Sequence, residues 1–261
     1  MPSIKVSFYN EEHRKLLENT PKYELITKLV EDGFDCSNED LWTYGLFREQ
    51  KPIFGFNSYE ELKSKLPKRW GYIEDYFDLN ADTIRAKYHG SDNQDKSLTE
   101  TLGIGVALAL ISHIHGLTQA DWNIIPPHNS QKLKDLDFCI ASDGEQFIEV
   151  EAKGSYAETN KNSNSIYTMK SDIEAKKQVQ RTKANNNNIL YGVITSYSSN
   201  PEVMAHCRIL DPPVVYEFNN PRKMRLLSRL SFYLQQLNLL SRANYLIALA
   251  NRKRDNQVMD K

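Results

Sequence analysis

Apolar positions recur at two different spacings along the chain. From about residue 11 to residue 88 they fall three and four apart in short bursts, the spacing of amphipathic helices. Examples are 22–32, opening after Pro21, and 58–66, closing before Pro67. The stretch His89-Gly90-Ser91-Asp92-Asn93-Gln94-Asp95-Lys96 then offers no apolar side chain to bury and predicts a boundary or exposed linker. After it, Leu98, Leu102, Val106, Ala109 and Leu110 predict a helix over 97–115, with Gly116 as its C-cap.

Beyond that helix the spacing shortens to two. A strand is expected at 122–125, ended by Pro126 and Pro127, followed by strands at 136–141 and 146–152. The last two are joined through Ser142-Asp143-Gly144-Glu145, whose Asp-Gly pair is a strong hairpin signal. The polar, Asn- and Ser-rich stretch 154–170 is expected as a flexible loop. A helix is expected over 171–184, with Ser171 and Glu174 as a capping box. Asn185 to Asn188 break that helix, and 189–195 is apolar and β-branched, as a buried strand should be. Shorter strands are expected at 207–210 and 214–218. Pro221 precedes one or two long helices striped by Leu226, Leu227, Leu230, Leu234, Leu237 and Leu240.

The order from residue 97 is helix, three strands, helix, strand, so the fold class is α/β, a mixed central sheet covered by helices. Three portions follow from it: a mainly helical N-terminal region (1–92), the α/β core (97–220) and C-terminal helices packed on that core (221–261).

Composition bounds the function. With 261 residues, 40% hydrophobic and 10% aromatic, the chain has the make-up of an ordinary globular protein of one or two domains. Trp42 and Trp70 are expected as core anchors. The three cysteines are far apart, with no Cys/His set at structural-zinc spacing, which suits a reducing cytoplasm. The start lacks the apolar core of a signal peptide, and no apolar run is expected to reach the roughly 18 residues of a membrane span. A soluble, cytoplasmic protein with no membrane partner is the expectation. Neither a GxxxxGK[ST] phosphate loop nor a GxSxG elbow is present. His113 and His115, two apart on a helix, point to different sides and do not share a metal.

Net charge is -1 overall. Residues 221–261, however, hold nine Lys and Arg against Asp255 and Asp260, a net +7 that leaves about -8 elsewhere. Such a tail suits either a phosphate backbone or a solvated helix face.

The chemistry concentrates in the second hairpin strand. Glu149, Glu151 and Lys153 alternate there with Ile148, Val150 and Ala152, so three ionisable side chains share one face. Pairing across the turn brings Asp137 or Asp135 towards that face. Converging carboxylates repel one another and favour a bound cation, and hard oxygen donors suit magnesium or manganese. A lysine beside them can stabilise charge developing on a phosphoryl group or position water, which is what metal-assisted phosphodiester hydrolysis requires. A charged ladder on a half-exposed strand can equally be a solvated face.

Asp137, followed 14 positions later by Glu151-Ala152-Lys153, resembles the PD-(D/E)xK nuclease superfamily. The resemblance runs over about 97–210 and departs from the family pattern at Leu136, where a proline would stand. It implies a restriction-endonuclease-like αβββαβ core, with Asp137 and Glu151 ligating Mg2+ or Mn2+ and Lys153 assisting the nucleophilic water. Members often add a carboxylate on the first helix, here Glu100, and a polar residue on the later helix, here Gln178 or Gln180. Asp135 competes with Asp137 for the ligand role, and Glu100 also completes a Ser97-Leu98-Thr99-Glu100 capping box. The implied function is an Mg-dependent endonuclease or exonuclease, DNA its expected substrate, in restriction, repair or defence. Two alternatives stand beside it: a nucleic-acid-binding module without turnover, and a subunit whose amphipathic helices dock a protein partner or a second copy.

Overall fold

The computed structural model describes residues 1–18, 20–46, 59–88, 96–122, 138–159, 161–181, 189–210, 220–241 and 252. Its first element lies outside the helical pattern expected of the N-terminal region. Ile4, Val6 and Phe8 alternate with Ser3, Lys5 and Ser7 and form strand β1 (Ser3–Phe8). Helices α1 (Glu11–Leu17) and α2 (Tyr23–Asp32), a short β2 (Phe34–Asp35) and α3 (Asn38–Leu41) follow, α3 running into a π-helical turn (Trp42–Leu46). Helix α4 (Tyr59–Tyr76) does not close before Pro67 but continues through it. A proline inside a helix costs about 3 kcal/mol. Buried Leu66, Trp70, Ile73 and Phe77 offset that cost with one continuous apolar stripe. A small ribbon, β3 (Phe77–Asp78) with β4 (Arg85–Ala86), ends this region.

Helix α5 (Lys96–His115) ends at Gly116, whose left-handed backbone (φ 60°) caps it as expected. A 3-10 turn (Gln119–Asp121) precedes β5 (Phe138–Ser142) and β6 (Phe147–Tyr156). Next come α6 (Asn164–Arg181), β7 (Ile189–Tyr197), β8 (His206–Leu210) and α7 (Pro221–Ser241). Most of the stretch 154–170 is therefore regular structure rather than a loop. Gly154, Ser155 and Tyr156 stay paired with β7, and α6 begins at Asn164 because Ile166 and Ile173 are both fully buried beneath it. Ser171 sits inside that helix, its hydroxyl donating to the Tyr167 carbonyl at 3.1 Å instead of capping an end. The strand expected at 214–218, and all of the one at 122–125 except Trp122, lie outside the described residues.

Six strands form one mixed sheet in the order β2-β1-β8-β7-β6-β5. β5 and β6 are antiparallel, β6 and β7 parallel, β7 and β8 antiparallel, and β1 runs parallel to β8. The N-terminal region thus supplies two strands to the sheet that carries the hairpin. Helix α5 covers one face, its Leu102, Val106 and Leu110 clustering with Ile148, Val150 and Ala152 of β6. The two backbones touch: a Cβ on Gly103 would lie 2.5 Å from Gly154 Cα, and a Cβ on Gly154 would collide with the Thr99 carbonyl. Contrary to expectation, Leu98–His115 of α5 is long and apolar enough to cross a membrane; 89% of that window is buried inside the protein, as befits its central helix.

The hairpin turn is fastened from three directions. Gly144 adopts φ 98°, which suits glycine, and Asp143 Oδ1 accepts from the Glu145 and Gln146 amides at 2.9 and 2.8 Å. Asp143 Oδ2 faces His115 Nδ1 at 3.2 Å, and His115 Nε2 lies 3.0 Å from the Tyr191 hydroxyl. Burial holds His115 below the usual imidazole range although Asp143 opposes it, so the neutral ring donates from Nδ1 to Asp143 and accepts from Tyr191. Burial alone would push Asp143 up, but His115 and the two amides together bring it down to about 2. Helix α7 is pinned by the buried Asp121. Its carboxylate accepts from Arg229 Nε and Nη2 at 2.5 and 2.8 Å, from Arg225 Nε at 3.1 Å and from the Thr118 amide.

Two stability measurements follow. Gly154→Ala should lose about 2–3 kcal/mol or more in urea denaturation, because its new methyl meets helix backbone that cannot move aside; an unchanged midpoint would contradict the close crossing. Asp143 titrates below its unfolded value, so its stabilisation is complete above about pH 4 and is lost as the pH falls towards about 2. Asp143→Asn should therefore cost about 2 kcal/mol at pH 7 and show a flatter stability profile than the wild type between those values.

Candidate active site

Strand β6 lies between β5 and β7 with α5 against its even-numbered face, so its odd-numbered residues project from the opposite face. Glu149 and Glu151 are on that face, 3% and 0% exposed, and the strand is not the half-exposed ladder that a solvated face would need. Lys153 Nζ is 2.8 Å from Glu151 Oε1, which confirms that the two side chains share a side. Moving a carboxylate out of water is expensive unless a cation and hydrogen bonds replace the lost hydration. Lys153, itself 16% exposed, supplies that charge and keeps one end of the pair at the surface.

Neighbouring strands shape the surroundings. Gly192 is directly in register with Glu151 on β7, so no side chain from that strand stands beside the carboxylate. On the other flank Phe138 pairs with Val150, and the register shifts between Phe138 and Ala141, a bulge of the kind that re-aims side chains next to functional sites. Asp137 and Asp135 lie outside the described residues; their described neighbour Phe138 pairs next to Glu151.

Glu100 is brought close by the glycine crossing. Its Cα is 3.2 Å from where a Gly154 Cβ would stand, immediately after Lys153, and its side chain is exposed on the first turns of α5. Gln178 and Gln180 fall within α6, their side chains outside the described set. That helix packs on the Glu151 side of the sheet. Ile166 and Ile173 cluster with Ile194, the β7 partner of Lys153, and Ser165 Oγ is 3.1 Å from Ser155 Oγ.

Arg208 and Gly192 carry no motif and were not singled out from sequence. Arg208 on β8 pairs with Ile194, which puts it on the Glu151 face two strands from Lys153, about 10 Å away at strand spacing. It is 1% exposed and donates from Nε to Asn162 Oδ1 at 2.7 Å and from Nη1 to Ser196 Oγ at 2.9 Å, tying down the segment that leads into α6. His206, next on the same face, meets Ser7 Oγ at 2.8 Å. Burial, with Arg208 and Lys5 nearby, pushes its pKa down to about 3, so the ring is neutral at ordinary pH.

The donors on this face are carboxylate oxygens, which suit a hard divalent cation rather than zinc or copper. Among the described residues no group of three or more His, Cys, Asp or Glu side chains converges on one point. Glu149 and Glu151 are the described carboxylates on this face, with Lys153 beside Glu151, whereas Glu100 belongs to α5, which covers the opposite face. No family model matches the chain, and neither a curated protein nor a solved structure gives a significant match.

The buried pair can be tested through stability. Lys153→Met leaves the Glu151 carboxylate without its nearest cation, whereas Lys153→Met combined with Glu151→Gln removes both charges. In urea titrations the double variant should be more stable than the sum of the single losses, with a coupling of about 0.5–3 kcal/mol; additive losses would mean that the pair contributes no net interaction.

Proposed function

We propose that the chain is a metal-dependent nuclease hydrolysing phosphodiester bonds, DNA its substrate, on a restriction-endonuclease-like core. The observation that carries this reading is the Glu151–Lys153 pair, buried on a central strand where hydrophobic residues would serve folding better. The order α5, β5, β6, α6, β7, with an antiparallel hairpin followed by a helical crossover to a parallel strand, supports it.

In this reading Glu151, with Asp137 and Glu100, holds Mg2+ or Mn2+. The bound ion would supply Lewis acidity and an activated water. Lys153 has two tasks. Its ammonium sits against the Glu151 carboxylate, and it offers a positive charge to phosphoryl oxygens as negative charge builds on them. Gln178 of α6 orients the substrate backbone or the attacking water from the covering helix. Helix α5 and the apolar face of β6 keep water from the back of the strand, so the electrostatic effect of the few charges in front is not diluted.

The test is incubation of the purified chain with supercoiled and linear DNA in magnesium, manganese or EDTA, beside Glu151→Gln and Lys153→Met variants of native circular dichroism. Nicking or shortening that needs the metal and falls by about 10^2-fold or more in both variants is the expected result. A folded wild type that leaves DNA and RNA intact in either metal refutes the nuclease reading.

One observation favours a second reading, a subunit that docks a protein partner. Leu226, Leu230 and Tyr233 lie on one side of α7 and are 66%, 47% and 54% exposed. On that reading the isolated chain is inert towards nucleic acid.

A further inference from the structure

Where α7 crosses the hairpin turn, a cleft of about 410 Å3 opens between Gly144 and Glu145 on one side and Arg222, Arg225 and Arg229 on the other. The three arginines are spaced three and four apart, which puts them on one face of the helix. Two are held in fixed directions from behind. Arg229 grips Asp121 with Nε and Nη2, and Arg225 reaches Asp121 with Nε, the Asp143 carbonyl with Nη1 (2.5 Å) and the Gly116 carbonyl with Nη2 (2.9 Å). A guanidinium has five N–H donors, so both keep unspent donors after these bonds. Arg222 is exposed and makes no ion pair or hydrogen bond among the described residues.

Folding alone does not call for this arrangement. One buried carboxylate, Asp121, needs one bidentate cation, and Arg229 already provides it. A second guanidinium shares the same carboxylate and a third stands beside it. Asp121, Asp143 and Glu145 balance the three positive charges in sum but leave the remaining guanidinium donors open. Both Asp143 oxygens are occupied, by His115 on one side and by the Glu145 and Gln146 amides on the other, and Glu145 stands exposed on the turn.

The cleft also has a position relative to the buried pair. Ser142 is in register with Phe147, hence on the Glu151 face, and its hydroxyl donates to the carbonyl of Pro221, the first residue of α7, at 2.8 Å. The first residue of the helix is therefore tied to the side of the hairpin that carries Glu151 and Lys153, while Arg225 and Arg229 reach round the turn to Gly116 and Asp121 beyond the end of α5. From Glu145, which lines the cleft, to Glu151 is six residues, roughly 20 Å at 3.3 Å each. That equals about six base steps of a duplex at 3.4 Å per step.

We infer that this cleft is a second anchoring site for the nucleic-acid substrate, receiving one backbone phosphate on Arg222, Arg225 and Arg229 while another phosphodiester lies at Glu151 and Lys153. The inference rests on the nuclease reading. Planar guanidinium forks match phosphate oxygens two at a time, and two that are oriented in advance lose little freedom on binding. A contact of this kind fixes register and supplies salt-dependent affinity but reads no sequence. It also imposes a minimum length, since a substrate extending fewer than about six nucleotides from the cleaved bond cannot reach it.

The test is fluorescence anisotropy of a labelled 20-base-pair duplex in EDTA over a range of salt, with Arg222→Glu compared to Lys223→Glu. Lys223 is exposed on the same turn but does not line the cleft, so both variants change the net charge equally and neither disturbs Asp121. Arg222→Glu should weaken binding about 10-fold or more and lower the slope of log K against log salt by about 1, with Lys223→Glu changing affinity by no more than about 3-fold. Equal effects of the two variants, no effect of either, or no duplex binding by the wild type overturns the inference. Wild-type cleavage of the same duplex in magnesium is read separately. Arg222-dependent binding without cleavage keeps the cleft and removes the nuclease reading, and cleavage with no special dependence on Arg222 does the reverse.

Discussion

The constraint on which the rest of the structure depends is a crossing of backbone on backbone, α5 over β6 at Gly103 and Gly154. Neither position has room for a methyl group, and that lets the apolar helix α5 lie flat on β6, the strand next to the sheet edge. The crossing has two consequences. It seals one face of β6 with a cluster that includes Leu102, Val106, Ile148 and Val150, and it sets the backbone of Glu100 against the residue that follows Lys153. A wider helix-to-sheet spacing would leave the sheet intact but would move Glu100 away from the end of the strand.

Because one face of β6 is sealed, its polar residues are forced onto the other, and α6 roofs the neighbouring part of that face. Glu149, Glu151 and Arg208 are each less than 4% exposed. A chain selected only for stability would fill these positions with residues that need no partners. Here charge is retained, paired and braced: Lys153 against Glu151, Arg208 against Asn162 and Ser196. The polar face is costly to fold and useful once folded, since charges fixed in a poorly solvated setting act more strongly on a substrate than the same charges in water.

What could be read from the residues alone was what is local. The Asp-Gly turn, the alternation of Glu149, Glu151 and Lys153, helix α5 with its Gly116 cap and the β7 strand each rest on neighbours within a few positions, and each is present. What escaped depends on distant partners. β1 is a strand because it lies along β8, about two hundred residues later. The start of α6 is set by Ile166 and Ile173 reaching Ile194 and Leu210, and the polar composition around them suggested a loop. Gly192 and Arg208 acquire meaning only through the register that puts the one beside Glu151 and the other on the same face two strands from Lys153. The solvated-face alternative for the Glu-x-Lys strand was open for the same reason, since burial on a central strand is a property of the sheet and not of the strand.

The two ends of the hairpin divide the work. At the turn, side chains from three directions converge: His115 of α5 on Asp143, Arg225 of α7 on the Asp143 carbonyl, and Ser142 on the first residue of α7. None of these bonds touches Glu151, yet they fix the end of the lever that carries it, and a site is only as well positioned as the elements beneath it. Helix α7 is therefore more than a basic appendage. Its charge is divided by direction, with Arg225 and Arg229 turned inward to Asp121 and Arg222 left outward. Arg225 thus both braces the hairpin, through the Asp143 carbonyl, and adds to the positive rim beside it, whereas Arg222 adds positive surface without bracing anything. Holding the hairpin and receiving an anion are in this way divided between neighbouring turns of one helix.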